Sequence, residues 1–311
     1  MSLLNTISLP RSRKGLRLME ILGNKMYLDL ADEGISRELM LDGIREELNI
    51  ADVRRELKKG DVAVDIGANI GYYALFEAQL VGSEGKVYAI EPVPANVELL
   101  RKNIEANGYS NMEVYQFAIG DNHGFQPLYL SKHRNRPTFK DVTGTTKQRW
   151  LKGQIDVEVV TLDDFLADKL YPDAIRMDVE GYEYQIIRGM KNTLQRRLPL
   201  KLFIEFHFHL MERQESVEIL ETLKSNGFKI EHISSATAIR GRHRHKLLSK
   251  IMQSVEPVID KGPNRIPSGR HLNLSIDDIL SNPEILSGRW RAFHICFKRD
   301  ESQEVRYPSG K

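Results

Sequence analysis

Cysteine is almost absent: a single residue, Cys296, in a chain of 311. One thiol cannot close an intrachain disulfide or build a Cys-rich zinc site. Its place in the apolar run 292–297 marks it as a buried small hydrophobe rather than a nucleophile. Long apolar runs are missing as well, since none approaches the roughly 18–20 residues that cross a bilayer. The mildly apolar start, 1–9, is cut off at once by Pro10-Arg11-Ser12-Arg13-Lys14, which puts its charges on the wrong side for a secretory signal. Together these absences predict a cytoplasmic protein without a transmembrane segment. Charge of one sign is lacking too: 45 Lys and Arg stand against 43 Asp and Glu, a net of +2, so no global field argues for nucleic acid. There is no internal duplication and no low-complexity tract. What is present, 41% hydrophobic and 28% charged residues, is ordinary globular composition and excludes disordered and fibrous classes.

From residue 60 onward short apolar runs alternate with helical patterns. The spacing predicts strands over 61–66, 86–90 and 112–118, with helices over 70–81 and 95–107, the second closed by Gly108. The rhythm lapses between 120 and 160, where 127–131 and 157–162 read as short strands flanking a polar loop, 132–153. It returns with a strand over 174–179, a helix over 182–195, a strand over 200–206, a helix over 215–226 stopped by Gly227, and a strand over 228–234. A last apolar run, 291–298, completes the pattern. Near-continuous Val/Ile runs separated by helices indicate parallel strands buried on both faces, hence a doubly wound α/β sheet. The first 59 residues, with a strand over 25–30 and a helix over 44–57, read as an extension packed on a core domain of 60–299. Residues 237–290 interrupt that domain before its last strand, and 300–311 form a tail.

The strongest local signal is Asp65-Ile66-Gly67-Ala68-Asn69-Ile70-Gly71, at a strand end and a helix start. Glycines there allow a tight turn and close approach of backbone to ligand. At the end of the next strand stands Glu91, whose carboxylate can accept hydrogen bonds from both hydroxyls of a ribose. A nicotinamide cofactor favours G-x-G-x-x-G, with its pyrophosphate at the helix N-terminus. Here the spacing is G-x-x-x-G, and Asp65 would repel a pyrophosphate while attracting a sulfonium and an α-ammonium group. The charge pattern therefore selects S-adenosylmethionine (SAM). Further on, Ala118-Ile119-Gly120-Asp121 ends the third strand on the same carboxyl edge, where ligands of open α/β sheets bind. Asp121 either meets the adenine amino group or caps a turn.

The strings DIGANIGYYAL, VYAIEPVPANVELLRKNIEANG and IRMDVEGYEYQIIRGM, occurring in that order, resemble the FkbM family of methyltransferases over about residues 60–235. The resemblance implies a class I methyltransferase fold, a seven-stranded Rossmann-like sheet that is mostly parallel with an antiparallel last strand. It also implies O-methylation of hydroxyls on sugars, lipids or other small metabolites. By that likeness Asp65, Gly67, Asn69, Gly71, Glu91 and Asp121 map onto SAM-binding positions.

Methyl transfer from a sulfonium is an in-line displacement in which the protein chiefly aligns the acceptor oxygen and the methyl carbon. A base for the hydroxyl proton accelerates it further. Two strand ends supply candidates: Asp178 and Glu180 after one strand, Glu205 and His207 after its neighbour. Residues two apart on a strand share a face, so each pair is expected to converge on one crevice. Asp178 is the first choice for contact with the acceptor or the cofactor's ammonium group, Glu180 the second, and His207 has a suitable intrinsic pKa. Against these roles, Glu180 could cap the following helix and His207 could be an ordinary strand-end residue. Two carboxylates and a histidine could also hold a divalent ion, but the spacing is too loose to assign metal ligands. The Asn/Asp-Pro-Pro-aromatic signature of enzymes that methylate nucleobase amines is replaced by Val179-Glu180-Gly181, which favours a hydroxyl acceptor.

The stretch Arg240-Gly241-Arg242-His243-Arg244-His245-Lys246, with Lys250 beyond it, contains no acid. It either binds an anionic acceptor group such as a phosphate, or is a solvated loop. Residues 275–280 read as a short helix that folds the insertion back. Tyr72, Tyr73, Tyr182 and Tyr184 flank the motifs and either line the pocket or pack the core. The expected reaction is SAM-dependent O-methylation of a small-molecule or glycan acceptor. The alternatives are an RNA methyltransferase that uses the basic stretch, and a SAM-binding protein without catalysis.

Overall fold

The computed structural model describes residues 15–132, 136–141, 148, 151–196, 198–234, 274–287 and 292–299. The basic stretch Arg240–Lys246, with Lys250, and the tail 300–311 lie outside the described residues.

The chain opens with a hairpin, β1 (Leu16–Ile21) and β2 (Asn24–Asp29), in which Ile21 faces Asn24 across a two-residue turn. Leu22 and Gly23 there have φ of 51° and 81°, the primed turn whose twist suits a hairpin. Only β2 was predicted. β1 shows most of its side chains to solvent, so its sequence carries little apolar signal. Two helices follow, α1 (Ile35–Asp42) and α2 (Glu47–Glu56).

The core is a seven-stranded sheet. Its parallel strands are β3 (Val62–Ile66), β4 (Lys86–Ile90) and β5 (Met112–Tyr115) on one side, and β9 (Ala174–Met177) and β10 (Leu200–Phe206) on the other. Beyond β10 come β12 (Phe293–Arg299), antiparallel to both its neighbours, and β11 (Lys229–Ser234) at the edge, giving the order β11-β12-β10-β9-β3-β4-β5. This is the Rossmann-like sheet with an antiparallel last strand. The strand order reverses between β3 and β9, so a crevice opens at their carboxyl ends.

The period of two along β3 divides the core. Val62, Val64 and Ile66 face one layer with Ile175, Met177 and Leu202, under α6 (Glu183–Arg188) and α8 (Arg213–Ser225). Ala63 faces the other, beneath α3 (Tyr72–Val81), which also buries Leu28 and Val53 of the N-terminal segment. Asn103 and Asn107 of α4 (Pro94–Asn107) hold the backbone of β2 through Tyr27 and Lys25. The N-terminal segment therefore covers the α3–α4 face.

Two predicted elements divide and a third is shortened. The strand expected over 112–118 ends at Tyr115, and the chain passes to β6 (Ala118–Gly120) in a separate three-stranded sheet with β8 (Leu151–Thr161) and β7 (Gly124–Ser131). The strand expected over 157–162 is the second half of β8, where Glu158 alternates with buried Val157 and Val159, whereas the polar and exposed first half, 151–156, gives no such signal. β8 ends at Thr161, which caps α5 (Leu162–Phe165) through the Asp164 N–H. The helix expected over 182–195 breaks at Gly189 into α6 and α7 (Lys191–Gln195). Gly189 lies against the Gly120 carbonyl so closely that a Cβ would sit 1.9 Å from its oxygen. The strand expected over 174–179 stops at Met177. The short α9 (Ile276–Leu280) and α10 (Pro283–Leu286) pack on α8 before β12. Among the described residues no helix is long and apolar enough to cross a membrane.

Candidate active site

The cleft at the switch point spans about 830 Å³, counting its mouth open to solvent. Its floor is the glycine loop. Gly67 has φ of 84°, and a Cβ there would stand 2.2 Å from the Asp178 carbonyl oxygen. Only glycine allows the ends of β3 and β9 to approach so closely. The N–H groups of Gly67 and Ala68 donate to the Ile90 carbonyl at 2.9 and 3.0 Å, tying the loop to β4. Asn69 adopts φ of 53° and lines the cleft. Gly71 does not line it. It starts α3 at φ of 95° with Leu100 packed against it, so its role is to turn the chain.

Glu91, almost wholly buried, stands where expected on the cleft wall. Its carboxylate accepts from the backbone N–H of Asn69 (2.9 Å), the backbone N–H of Val93 (3.0 Å) and Asn96 Nδ2 (3.1 Å). A carboxylate offers about four acceptor positions, so part of its capacity stays open toward a ribose. Burial pushes it up to about 7, against those three hydrogen bonds.

Asp65 departs from expectation. It lies on the α3 face of β3 with Ala63, completely buried, and does not line the cleft. Its neighbour in register on β9 is Arg176, whose Nη1 lies 3.0 Å from Asp65 Oδ1. Its charge is thus neutralised inside the protein instead of facing a ligand. An arginine inside a buried strand calls for such a partner, a signal that Ile175-Arg176-Met177 carried in the sequence. The same guanidinium reaches Asp178 Oδ2 at 3.3 Å and lies 3.6 Å from the centre of the Tyr73 ring. Asp121 also differs: it pairs with Arg188 at 3.5 Å, while Phe117, Ala118 and Ile119 form that wall of the cleft.

The acidic end of the cleft lies just beyond the sheet. Asp178 and Glu180 both line it, although they belong to the loop after β9 rather than to a strand, and Glu180 takes φ of 49°. Burial lifts Glu180 to about 7, with His207 the chief opposing charge. Glu205 ends β10, and His207 follows it, buried behind Glu180. The His207 Nε2 lies 3.7 Å from Glu180 Oε2 and 3.6 Å from Glu205 Oε1. Glu205 is raised well above the usual carboxylate range by burial and by Asp178 and Glu46. The four candidates therefore do meet, but Asp178 and Glu180 face the cleft while His207 and Glu205 support them from behind.

Several residues were not anticipated. Glu183 is fully buried and holds His207 Nδ1 at 2.7 Å. Arg45 and Glu46, between α1 and α2, line the cleft, and Tyr73 donates to Glu46 at 2.8 Å. The N-terminal segment, which carried no functional signal, thus roofs the site. Tyr72, Tyr73 and Tyr182 line it, Tyr182 against Phe139 with ring centres 4.2 Å apart and planes tilted by 30°. Tyr184 points away, bonded to Glu218. Donor atoms of Asp178, Glu180 and His207 fall within 4.8 Å of one another. Because Arg176 already occupies Asp178 and would repel a dication, we assign no metal ligands there.

The cleft suits SAM at both ends. Glu91 and the apolar wall of Ile90, Phe117 and Ile119 fit a nucleoside, and Asp178 with Glu180 fits a cationic group. A crevice with a ribose-seeking acid on one side and carboxylates lining the other marks a SAM-dependent methyltransferase. Sequence comparison narrows the class. The sequence model of the methyltransferase FkbM domain matches residues 65–230, more than half of the chain, and the protein belongs to that family.

Among individual relatives, the chain is 30% identical over 145 residues to the 2-O-methyltransferase NoeI of Sinorhizobium fredii, covering 43% of this chain and 58% of that protein. It is 47% identical over 51 residues to a protein-L-isoaspartate O-methyltransferase of Methanococcoides burtonii, but spans only 25% of that enzyme's length and 16% of its own. The crystal structure of a methyltransferase FkbM from Methylobacillus flagellatus aligns at 20% identity with a TM-score of 0.31, over 46% of this chain and 32% of the other.

Proposed function

We propose that the enzyme methylates a hydroxyl oxygen of a sugar, a lipid-linked saccharide or another small metabolite, with Glu180 as the base. The observation that carries this is a carboxylate facing the cleft, its side chain 21% exposed, that burial brings to about 7. A base titrating near the working pH is both available and strong enough to take a hydroxyl proton. SAM, when bound, supplies the methyl group, its sulfur keeping the bonding pair. Glu91, Asn69 and the apolar wall hold the nucleoside, and Asp178, fixed by Arg176, faces the cationic end. Glu180 accepts the proton that the acceptor oxygen loses. Tyr182 and Phe139, both lining the cleft, offer an aromatic wall to a sugar ring. The two relatives are both O-methyltransferases by name, which supports an oxygen acceptor.

The test is incubation with methyl-labelled SAM and a panel of hydroxyl acceptors. Glu180→Gln should lower turnover by ~100-fold or more while SAM affinity stays within ~3-fold. Methylation on nitrogen, or turnover indifferent to Glu180→Gln, would sink the reading. Label transferred to RNA, with binding that falls steeply in salt, would instead assign a nucleic-acid acceptor.

A further inference from the structure

We propose that Glu183 is a positioning residue of the methyl-transfer site, orienting the His207 imidazole so that its second nitrogen stands against the carboxylate of Glu180. The inference rests on Glu180 being the acceptor's base and adds a residue to that machinery.

The geometry is specific. Glu183 is the first residue of α6 and is fully buried, a costly place for a carboxylate unless it has partners. Its Oε1 takes His207 Nδ1 at 2.7 Å and the Gly181 N–H at 3.2 Å. The turn before α6 is shaped for this. Gly181 adopts φ of 97°, and Leu210 packs so tightly there that a Cβ would lie 2.7 Å from the Leu210 Cβ. On the other side the Leu210 N–H donates to the His207 carbonyl at 2.7 Å, fixing the histidine backbone where β10 ends. With Nδ1 engaged by Glu183, the imidazole presents Nε2 to Glu180 and Glu205. A carboxylate behind a histidine sets its tautomer and favours its cation.

The groups facing His207 come from every neighbouring element: Glu183 from α6, Glu180 and Asp178 from the loop after β9, Glu205 from β10, and the His209 ring 6.0 Å away. On β12, His294 reaches the far side of Glu205 at 3.6 Å, and Arg136 acts on Glu180 from outside. The carboxylates outnumber the cations. Burial opposes an imidazolium, but the Glu183 hydrogen bond and the charges of Glu183, Glu205 and Glu180 outweigh it and raise His207 well above its ordinary value. That cation in turn restrains the rise of Glu180. Removing the Glu183 charge should therefore let His207 lose its proton at lower pH, after which Glu180 holds its own proton to higher pH.

The experiment is an NMR titration of the full chain with ¹⁵N-labelled histidine, the His207 signals assigned with His207→Gln. In the unmodified protein His207 should be doubly protonated through neutral pH, with its Nδ1 proton strongly deshielded. In Glu183→Gln its proton affinity should fall at least ~10-fold, one pKa unit. In turnover, the acid limb of the kcat profile should move to higher pH in Glu183→Gln, and Glu183→Asp should restore part of the shift. A His207 that is neutral at pH 7 in the unmodified chain overturns the proposal without any variant. So does a Glu183→Gln rate reduced by the same factor at every pH. A displaced His207 titration with no methylation of any hydroxyl would leave the Glu183–His207 pair standing and reject the acceptor reading instead.

Discussion

Replacing Asp65 by asparagine separates two roles that the sequence motif merges. If Asp65 served the cofactor, Asp65→Asn would weaken SAM binding and leave the fold alone. The structure predicts the reverse. Asp65 is completely buried and Arg176, at the edge of the cleft, nearly so, 3.0 Å apart. Removing one partner of such a pair costs ~3–5 kcal/mol, because the other charge is left buried without compensation. Arg176 keeps Asp178 at 3.3 Å and the Tyr73 ring, so the loss should sit at the lower end, about 3 kcal/mol, or roughly 100-fold in the folding equilibrium. Urea denaturation without cofactor measures that term, and calorimetric titration measures SAM affinity, expected within ~3-fold of the unmodified protein. A variant of ordinary stability that binds SAM ~100-fold more weakly would refute the assignment of Asp65 to the interior.

Three further outcomes follow from the cleft floor and wall. Glu91 is raised from its ordinary value to about 7, so its ionised form, the one that accepts ribose hydroxyls, is depleted below that pH. SAM affinity should rise by up to ~10-fold per unit between about pH 5 and 7 and then level off, and calorimetry should show the dependence vanish in Glu91→Gln. By the same shift, the free protein should lose up to ~3 kcal/mol of stability as pH rises from about 4.5 through 7, since folding favours the protonated form. Gly67→Ala should cripple the site, because its Cβ would meet the Asp178 carbonyl oxygen at 2.2 Å and φ of 84° disfavours any side chain. We expect at least ~10-fold weaker SAM binding together with lower thermal stability. An alanine variant with unaltered affinity would show that β3 and β9 need not approach so closely.

Much of the site could be read from sequence because its signals are local. Gly67 and Asn69 need unusual backbone angles that only certain residues supply cheaply, and Glu91 follows a strand at the cleft's edge. Those demands are written into adjacent residues. Asp65 and Asp121 stand outside the cleft lining, and the sequence hid this for one reason: their positions in the motif were visible but their arginine partners were not. Arg176 is more than a hundred residues from Asp65 in sequence and directly beside it in the sheet. Arg188 reaches Asp121 only because α6 runs past the end of β6. β1 and the first half of β8, residues 151–156, escaped recognition because strands open to solvent carry polar side chains.

The alternation of buried strands and helices, by itself, determined the doubly wound sheet and the location of its cleft, since periodicity and backbone torsion are short-range properties. The cationic cofactor, by contrast, was inferred from a charge at Asp65 that the fold turns inward against Arg176. The tertiary structure decided which carboxylates are spent inside the protein and which face the cleft. Asp65 is neutralised by Arg176, whereas Glu180 stays open and near neutrality, with His207 and Glu183 behind it. It also brought Arg45 and Glu46 of the N-terminal segment over the site. A carboxylate's function depends on the charges and the depth of burial around it, and those are set by residues brought together from distant parts of the chain.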